Sequence, residues 1–222
     1  MAVLKKILPR KIYLRHVGRH EEGSLELWRE YARQVPRDRG ILDVGAFHGI
    51  YALAAREENL VAPIYAFEPN PTSLERLTEA CRGQRIQVEP VAVAETSGTV
   101  SFLTDDSRSQ MSESGSSYVP SISLDEWRAE RQVDPSLIKI DTEGAEVEIF
   151  RGAAKLLKEC QPVILCEVLT DEAGEAVMEV LPKTYSYFKI NENRGPEERD
   201  RITRDEWRNK NWLLVPSEIA RL

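Results

Sequence analysis

Apolar residues in this chain fall into short runs, and the stretches between them repeat with helical period. Residues 41–44 (Ile-Leu-Asp-Val), 64–67 (Ile-Tyr-Ala-Phe), 137–140 (Leu-Ile-Lys-Ile) and 162–166 (Pro-Val-Ile-Leu-Cys) have strand length and little alternation. Such runs mark strands buried on both faces. Residues 86–93, apolar at Val88, Val91 and Val93, read as a third strand, and 100–103 as a further short one. Residues 185–190 and 212–215 read as late strands with no long helix between them.

The intervening stretches predict helices. Ser24 is placed to cap one whose inner face is Leu25, Trp28 and Ala32, ended by Pro36. A second starts at Ile50 and runs to about Glu58. Asn70-Pro71 opens another with Leu74, Leu77 and Cys81 inward. Ser123 and Glu126 form a capping box before Trp127, and Val147, Phe150, Leu156 and Leu157 point a later helix inward. Glu146 and Glu148 read as solvated residues of that helix. Strand and helix alternate through most of the chain, which means an α/β fold: a mostly parallel, doubly wound sheet covered on both faces.

Composition narrows the picture. At 222 residues with 41% hydrophobic and 30% charged residues, the chain suits one ordinary globular domain. No run approaches the roughly 18 apolar residues of a membrane span, and the first residues lack the apolar core of a secretory signal. Three cysteines (Cys81, Cys160, Cys166) make no disulfide framework, and none has metal-ligand spacing with the three histidines. Asp141, Glu143 and Glu167 are hard oxygen groups able to hold a metal ion, but no sequence feature requires one. A reducing, cytoplasmic setting is the simplest fit. A net charge of −7 argues against a nucleic-acid binder. Residues 1–20 nevertheless carry six basic residues and no acid. They read as a solvated arm, or as a surface that touches anionic lipid or an acidic partner. Residues 1–36 are thus an arm plus an extra helix, and 37–222 the main domain.

Ligands of such sheets sit outside the carboxyl ends of the strands. Four predicted strands end in acids: Asp43, Glu68, Asp141 and Glu167. Jointly these suit a polar ligand with hydroxyl and ammonium groups better than four unrelated helix caps. The turn at 45–49, with Gly45 and Gly49, offers backbone amides and a helix start to such a ligand. Glu68 at the end of the second strand can accept from both ribose hydroxyls of an adenosine. A dinucleotide loop would need G-x-G-x-x-G to admit a pyrophosphate. Here the pattern is Asp43-x-Gly45-x-x-x-Gly49, and an acid beside the loop is wrong for pyrophosphate but right for an amino group or a sulfonium. S-adenosylmethionine meets both requirements. An NAD-type oxidoreductase and a noncatalytic cofactor-binding protein are the alternatives. The serine-rich stretch 104–118 reads as a structureless loop, suited as a lid over a polyol acceptor.

The motifs DVGAFHG, AFEPNP and LIKIDTEGAEVEIFRGA resemble those of the FkbM family of class I S-adenosylmethionine-dependent methyltransferases. The likeness spans residues 41–167, with 211–216 similar to the family's closing strand. The family more often has Asn-Ile where this chain has Phe47-His48. The resemblance implies a seven-stranded, Rossmann-like methyltransferase sheet with its last strand antiparallel. It also implies methyl transfer to a hydroxyl of a sugar, glycan or natural-product acceptor. On this reading Asp43, Gly45, Ala46 and Gly49 shape the methionine side of the cofactor pocket, Glu68 holds the ribose, and Ala92 lies near the adenine. Asp141, Glu143 and His48 are the candidate catalytic bases.

Overall fold

The structure, a computed structural model, describes residues 21–104, 109–111, 117–204 and 210–220. The chain opens with α1 (Glu22–Gln34), β1 (Arg39–Val44), α2 (Ile50–Glu58), β2 (Ile64–Phe67), α3 (Pro71–Cys81) and β3 (Ile86–Glu89). Four short strands follow: β4 (Ala92–Val93), β5 (Gly98–Thr104), β6 (Ser109–Met111) and β7 (Ser117–Ile122). Then come α4 (Leu124–Arg131), β8 (Asp134–Ile140), α5 (Glu146–Arg151), α6 (Ala154–Cys160), β9 (Val163–Glu167) and α7 (Asp171–Val180). The last elements are β10 (Tyr185–Asn191), β11 (Gly195–Arg199) and β12 (Asn211–Pro216).

The main sheet has the order β11-β10-β12-β9-β8-β1-β2-β3. Strands β3, β2, β1, β8 and β9 pair in parallel, and β12 inserts antiparallel between β9 and β10. This is the expected seven-stranded arrangement with its last strand antiparallel. An eighth strand, β11, extends it by a hairpin on β10.

Period-two alternation along each strand splits the core in two. Leu42, Val44, Ile138, Ile140, Ile164 and Trp212 pack against α4, α5, α6 and α7. On the opposite face Ile41, Ile64, Leu137, Val163, Leu165 and Leu213 pack against α1, α2 and α3. The extra helix α1 belongs to that second face through Trp28 and Ala32, and the Trp28 indole donates to the carbonyl of Tyr51 on α2.

Several local expectations are corrected. The segment 86–93 is two strands in two sheets: β3 pairs with β2, whereas β4 pairs with β7. Pro90 lies between them, and a residue without an N–H cannot continue a ladder. The stretch 104–118 is not structureless, because β6 and the start of β7 flank β5 in a second sheet of order β4-β7-β5-β6. Residues 105–108 and 112–116 of the expected lid, and the whole arm at 1–20, lie outside the described residues.

Ser24 does not cap α1. The helix starts earlier, and Ser24 is fully buried in its first turns, donating to Glu192 from its amide (2.9 Å) and hydroxyl and accepting from Asn211 (3.0 Å). The caps at Asn70 and Ser123 are as expected: Asn70 accepts from the amides of Thr72 and Ser73, and Ser123 from that of Glu126. No described helix is long and apolar enough to cross a membrane.

Candidate active site

Register places the strand-end chemistry in two rows on the face covered by α1, α2 and α3. In the first row Ala66, Asp43, Lys139, Leu165 and Leu213 are successive cross-strand partners. Two residues toward the carboxyl ends come Glu68, Gly45 and Asp141, then Glu167, which is paired with Asn211. Strand alternation keeps both rows on one side.

Asp43 is fully buried, and its Oδ2 accepts from the amide of Ala52 (2.8 Å) in the first turn of α2. The N-cap of that helix is Gly49, which makes no side-chain capping bond, so Asp43 does the capping from the neighbouring strand. Its Oδ1 has no hydrogen-bond partner. Burial pushes the carboxyl up to about 6, although Lys139 and the Ala52 amide pull the other way.

Between Asp43 and α2 the backbone turns sharply, with Gly45, Phe47 and Gly49 at φ of 76°, 49° and 81°. A Cβ on Gly45 would stand 1.9 Å from the carbonyl oxygen of Asp141, so only glycine lets β1 and β8 exit side by side. The amides of Gly45 and Ala46 donate to the Phe67 carbonyl, that of Phe47 to Glu68 and that of Gly49 to Ala46. The expectation that this turn presents its amides to a ligand is therefore corrected: these four point inward, because folding the turn tightly requires partners for them.

Glu68 is buried at the end of β2, with Oε2 accepting from Phe47 N–H and Oε1 from Asn70 N–H, both at 2.8 Å. Each oxygen has one bond from the chain and a lone pair left over. Burial raises its carboxyl, and the two amides oppose that. Beside it, the His48 ring stacks on Phe47 at 3.6 Å and its Nε2 lies 3.3 Å from Arg76 Nη1 on α3. Burial and then Arg76 lower His48 to about 4, leaving it neutral at neutral pH. His48 thus stands on the α3 side, whereas Asp141 and Glu143 stand at the exit of β8. Ala92 is buried in β4, packed with Val119 and Val100 of the second sheet.

At the β8 exit, Asp141 Oδ2 meets the ammonium of Lys139 at 2.7 Å. Burial alone would raise the Asp141 carboxyl, but Lys139 outweighs it and holds the group below the usual carboxylate range. Lys139 is itself buried, lies 4.4 Å from the centre of the Tyr51 ring, and stays charged because Asp141, Asp43 and Glu21 outweigh its desolvation. The Tyr51 hydroxyl in turn donates to Glu21 at 2.9 Å, which ties the start of α1 to this site. Lys139 was missed as a functional residue, although an ammonium inside the apolar run 137–140 was a visible signal.

The loop after β8 carries Glu143 in the left-handed region (φ 58°) and exposed. Glu146, expected in solvent, is buried instead: its Oε1 accepts from Thr142 N–H (3.0 Å), Thr142 Oγ1 (3.1 Å) and Gly144 N–H (3.2 Å). The loop closes over its own helix start, so this acid is its internal clasp. Glu148 is likewise only partly exposed, with Oε2 buried. One strand further, the Glu167 side chain is completely buried and ion-paired with Lys210. Nothing in the sequence pattern singled out Lys210.

Residues 43–194 match the methyltransferase FkbM domain. Over 150 residues the chain is 29% identical to the hexuronic acid methyltransferase AglP of Haloferax volcanii, covering 64% of this chain and 62% of that relative. Among solved structures, the methyltransferase FkbM from Methylobacillus flagellatus is similar with a TM-score of 0.53 and 16% identity, over 80% of this chain and 43% of that one. The SAM-dependent O-methyltransferase from Thermotoga maritima is similar with a TM-score of 0.50 and 10% identity, over 86% of this chain and 63% of that one. The two structural likenesses speak to the fold alone. The chain spans less than two thirds of the length of each of these three proteins.

Proposed function

From the premise that the chain belongs to the FkbM family of S-adenosylmethionine-dependent methyltransferases, we propose that it transfers a methyl group to a hydroxyl of a sugar or glycan acceptor. The observation that carries this reading is the shared row of Glu68, Gly45, Asp141 and Glu167, a polar rim along one edge of the sheet. The name of the AglP relative, a hexuronic acid methyltransferase, supports a sugar acceptor.

The residues present fit the cofactor. Gly45 lets the turn after β1 pass close against Asp141 at the site, Asp43 keeps one buried oxygen without a hydrogen-bond partner for a cationic group, and Glu68 keeps a lone pair on each oxygen for two hydroxyls. Asp43, Gly45, Ala46 and Gly49 then form the methionine side, Glu68 the ribose side, and Ala92 backs the adenine side from the second sheet. When bound, S-adenosylmethionine supplies an electrophilic methyl group. The chain's part is to hold the acceptor oxygen in line with it, which is worth roughly 7–11 kcal/mol in favourable cases. Asp141 and Glu143 border the place where the acceptor enters, with Asp141 fixed by Lys139 to orient the hydroxyl, whereas His48 stands on the α3 side beside Arg76.

Calorimetry with S-adenosylmethionine and with NAD tests the cofactor. Mass spectrometry of methyl glucuronide incubated with the protein and S-adenosylmethionine tests the acceptor class. Binding of NAD alone would overturn the reading, and methylation on nitrogen or carbon acceptors only would replace the hydroxyl.

A further inference from the structure

We propose that Glu167, with Lys210 holding one of its oxygens, is the group that takes the proton from the acceptor hydroxyl. This deepens the hydroxyl-methylation reading and rests on it.

The other acids at the rim are committed elsewhere. Both Glu68 oxygens accept backbone amides, and Asp141 already faces the Lys139 ammonium at 2.7 Å. A proton arriving on Asp141 would have to break that pair. Glu143 sits exposed on a loop, and His48 lies beside Arg76 on the α3 side. Glu167 differs from all of them. Its side chain has no exposure, its Oε1 is paired with Lys210, and its Oε2 has no hydrogen-bond partner. A buried acceptor left without a donor is costly, and a hydroxyl donor would relieve it.

The position is held by backbone. Glu167 is the register partner of Asn211, and the Val168 amide donates to the Lys210 carbonyl at 2.9 Å, which docks Lys210 against the exit of β9. Glu167 also lies in the same row as Asp141, one strand away. The charged groups around it are Asp141 and Glu143 on the loop after β8 and Lys210 ahead of β12, with Glu21 of the α1 start acting on Lys210. Burial, then Asp141 and Glu143, raise Glu167 to about 7 against the pull of Lys210. A base titrating near the working pH is the effective kind.

The step balances. The acceptor hydroxyl gives its proton to Glu167 Oε2 while its oxygen lone pair forms the new bond to the methyl carbon. The carbon–sulfur bond breaks with its electron pair going to sulfur, so the sulfonium charge disappears. S-adenosylhomocysteine and the methyl ether leave, and the Glu167 carboxyl returns its proton to water.

Isotope-edited infrared titration of the wild type, Glu167→Gln and Lys210→Met reads this directly. The expected result is a carboxyl titrating at about 7 that is absent from Glu167→Gln and moves higher in Lys210→Met. With methyl glucuronide as acceptor, Glu167→Gln should keep its S-adenosylmethionine affinity, lose about 10²-fold or more in turnover and lose the acid limb of the pH profile. A Glu167 that titrates in the ordinary carboxylate range, or a Glu167→Gln variant with unchanged turnover, would overturn the proposal. If the glucuronide is not consumed, the titration alone decides. A wild-type protein that binds no S-adenosylmethionine would overturn the methyltransferase reading instead.

Discussion

Lys139 on β8 and Asp141 just past the end of that strand face each other at 2.7 Å on the side of the sheet that also holds Asp43. One buried ammonium therefore serves two carboxylates, its buried cross-strand partner Asp43 and the partly buried Asp141 two residues along the chain. Lys139→Met strips the counter-ion from both. Breaking a buried pair by removing one member typically costs about 3–5 kcal/mol. Urea denaturation at neutral pH should show a loss of that order. The loss should shrink at acid pH, where the orphaned carboxyls take up protons.

Glu68 is aligned by two backbone amides before any ligand arrives. Replacing it by Gln keeps an acceptor but removes the charge. S-adenosylmethionine affinity, measured by calorimetry, should then fall by about 1.5–3 kcal/mol, or roughly one to two powers of ten in Kd. Glu68→Ala should lose at least as much affinity and also stability, because the amides of Phe47 and Asn70 lose their acceptors. Unchanged affinity in both variants would remove Glu68 from the cofactor site.

Glu146→Ala should loosen the loop after β8. Three donors lose their acceptor, and because they are only partly buried the expected cost is about 2–4 kcal/mol. On the proposed placing of the acceptor beside this loop, turnover should fall while S-adenosylmethionine affinity stays. Amide hydrogen exchange at Thr142 and Gly144 should speed up in the variant and report the same loosening.

Asp43 makes stability pH-dependent in a direction opposite to that of most paired carboxylates. Its folded-state pKa of about 6 lies above the ordinary 3.8, so the folded form binds the proton more tightly than the unfolded chain does. The stability this contributes is complete below 3.8 and lost as pH rises through about 6. The unfolding free energy of the wild type minus that of Asp43→Asn should therefore fall across that window and level off above it. A series of urea melts checks the slope.

Local chemistry was legible and long-range chemistry was not. The caps at Asn70 and Ser123 could be read because cap and amides lie within three residues of one another. Ser24 carries the same cap signal, but its partner is Glu192, 168 residues away, and that contact draws it into the core. Glu146 has a solvated residue's spacing on its helix. Only the return of Thr142 and Gly144 over the helix start shows it to be buried. The split of 86–93 at Pro90 follows from a rule readable in the sequence, yet where β4 goes depends on β7, far along the chain.

From the sequence alone came the alternation of strand and helix, the acids at four strand ends, and the turn with Gly45 that excludes a dinucleotide pattern. These follow from apolar periodicity and from chemistry between residues close in the chain. The tertiary structure decided which of those acids has a partner. Asp43 and Asp141 share Lys139, Glu68 holds two amides, and Glu167 keeps one oxygen unpartnered beside Lys210. The character of a buried carboxylate is set by the charges and donors within a few ångströms of it, and in a parallel sheet most of those arrive from other strands.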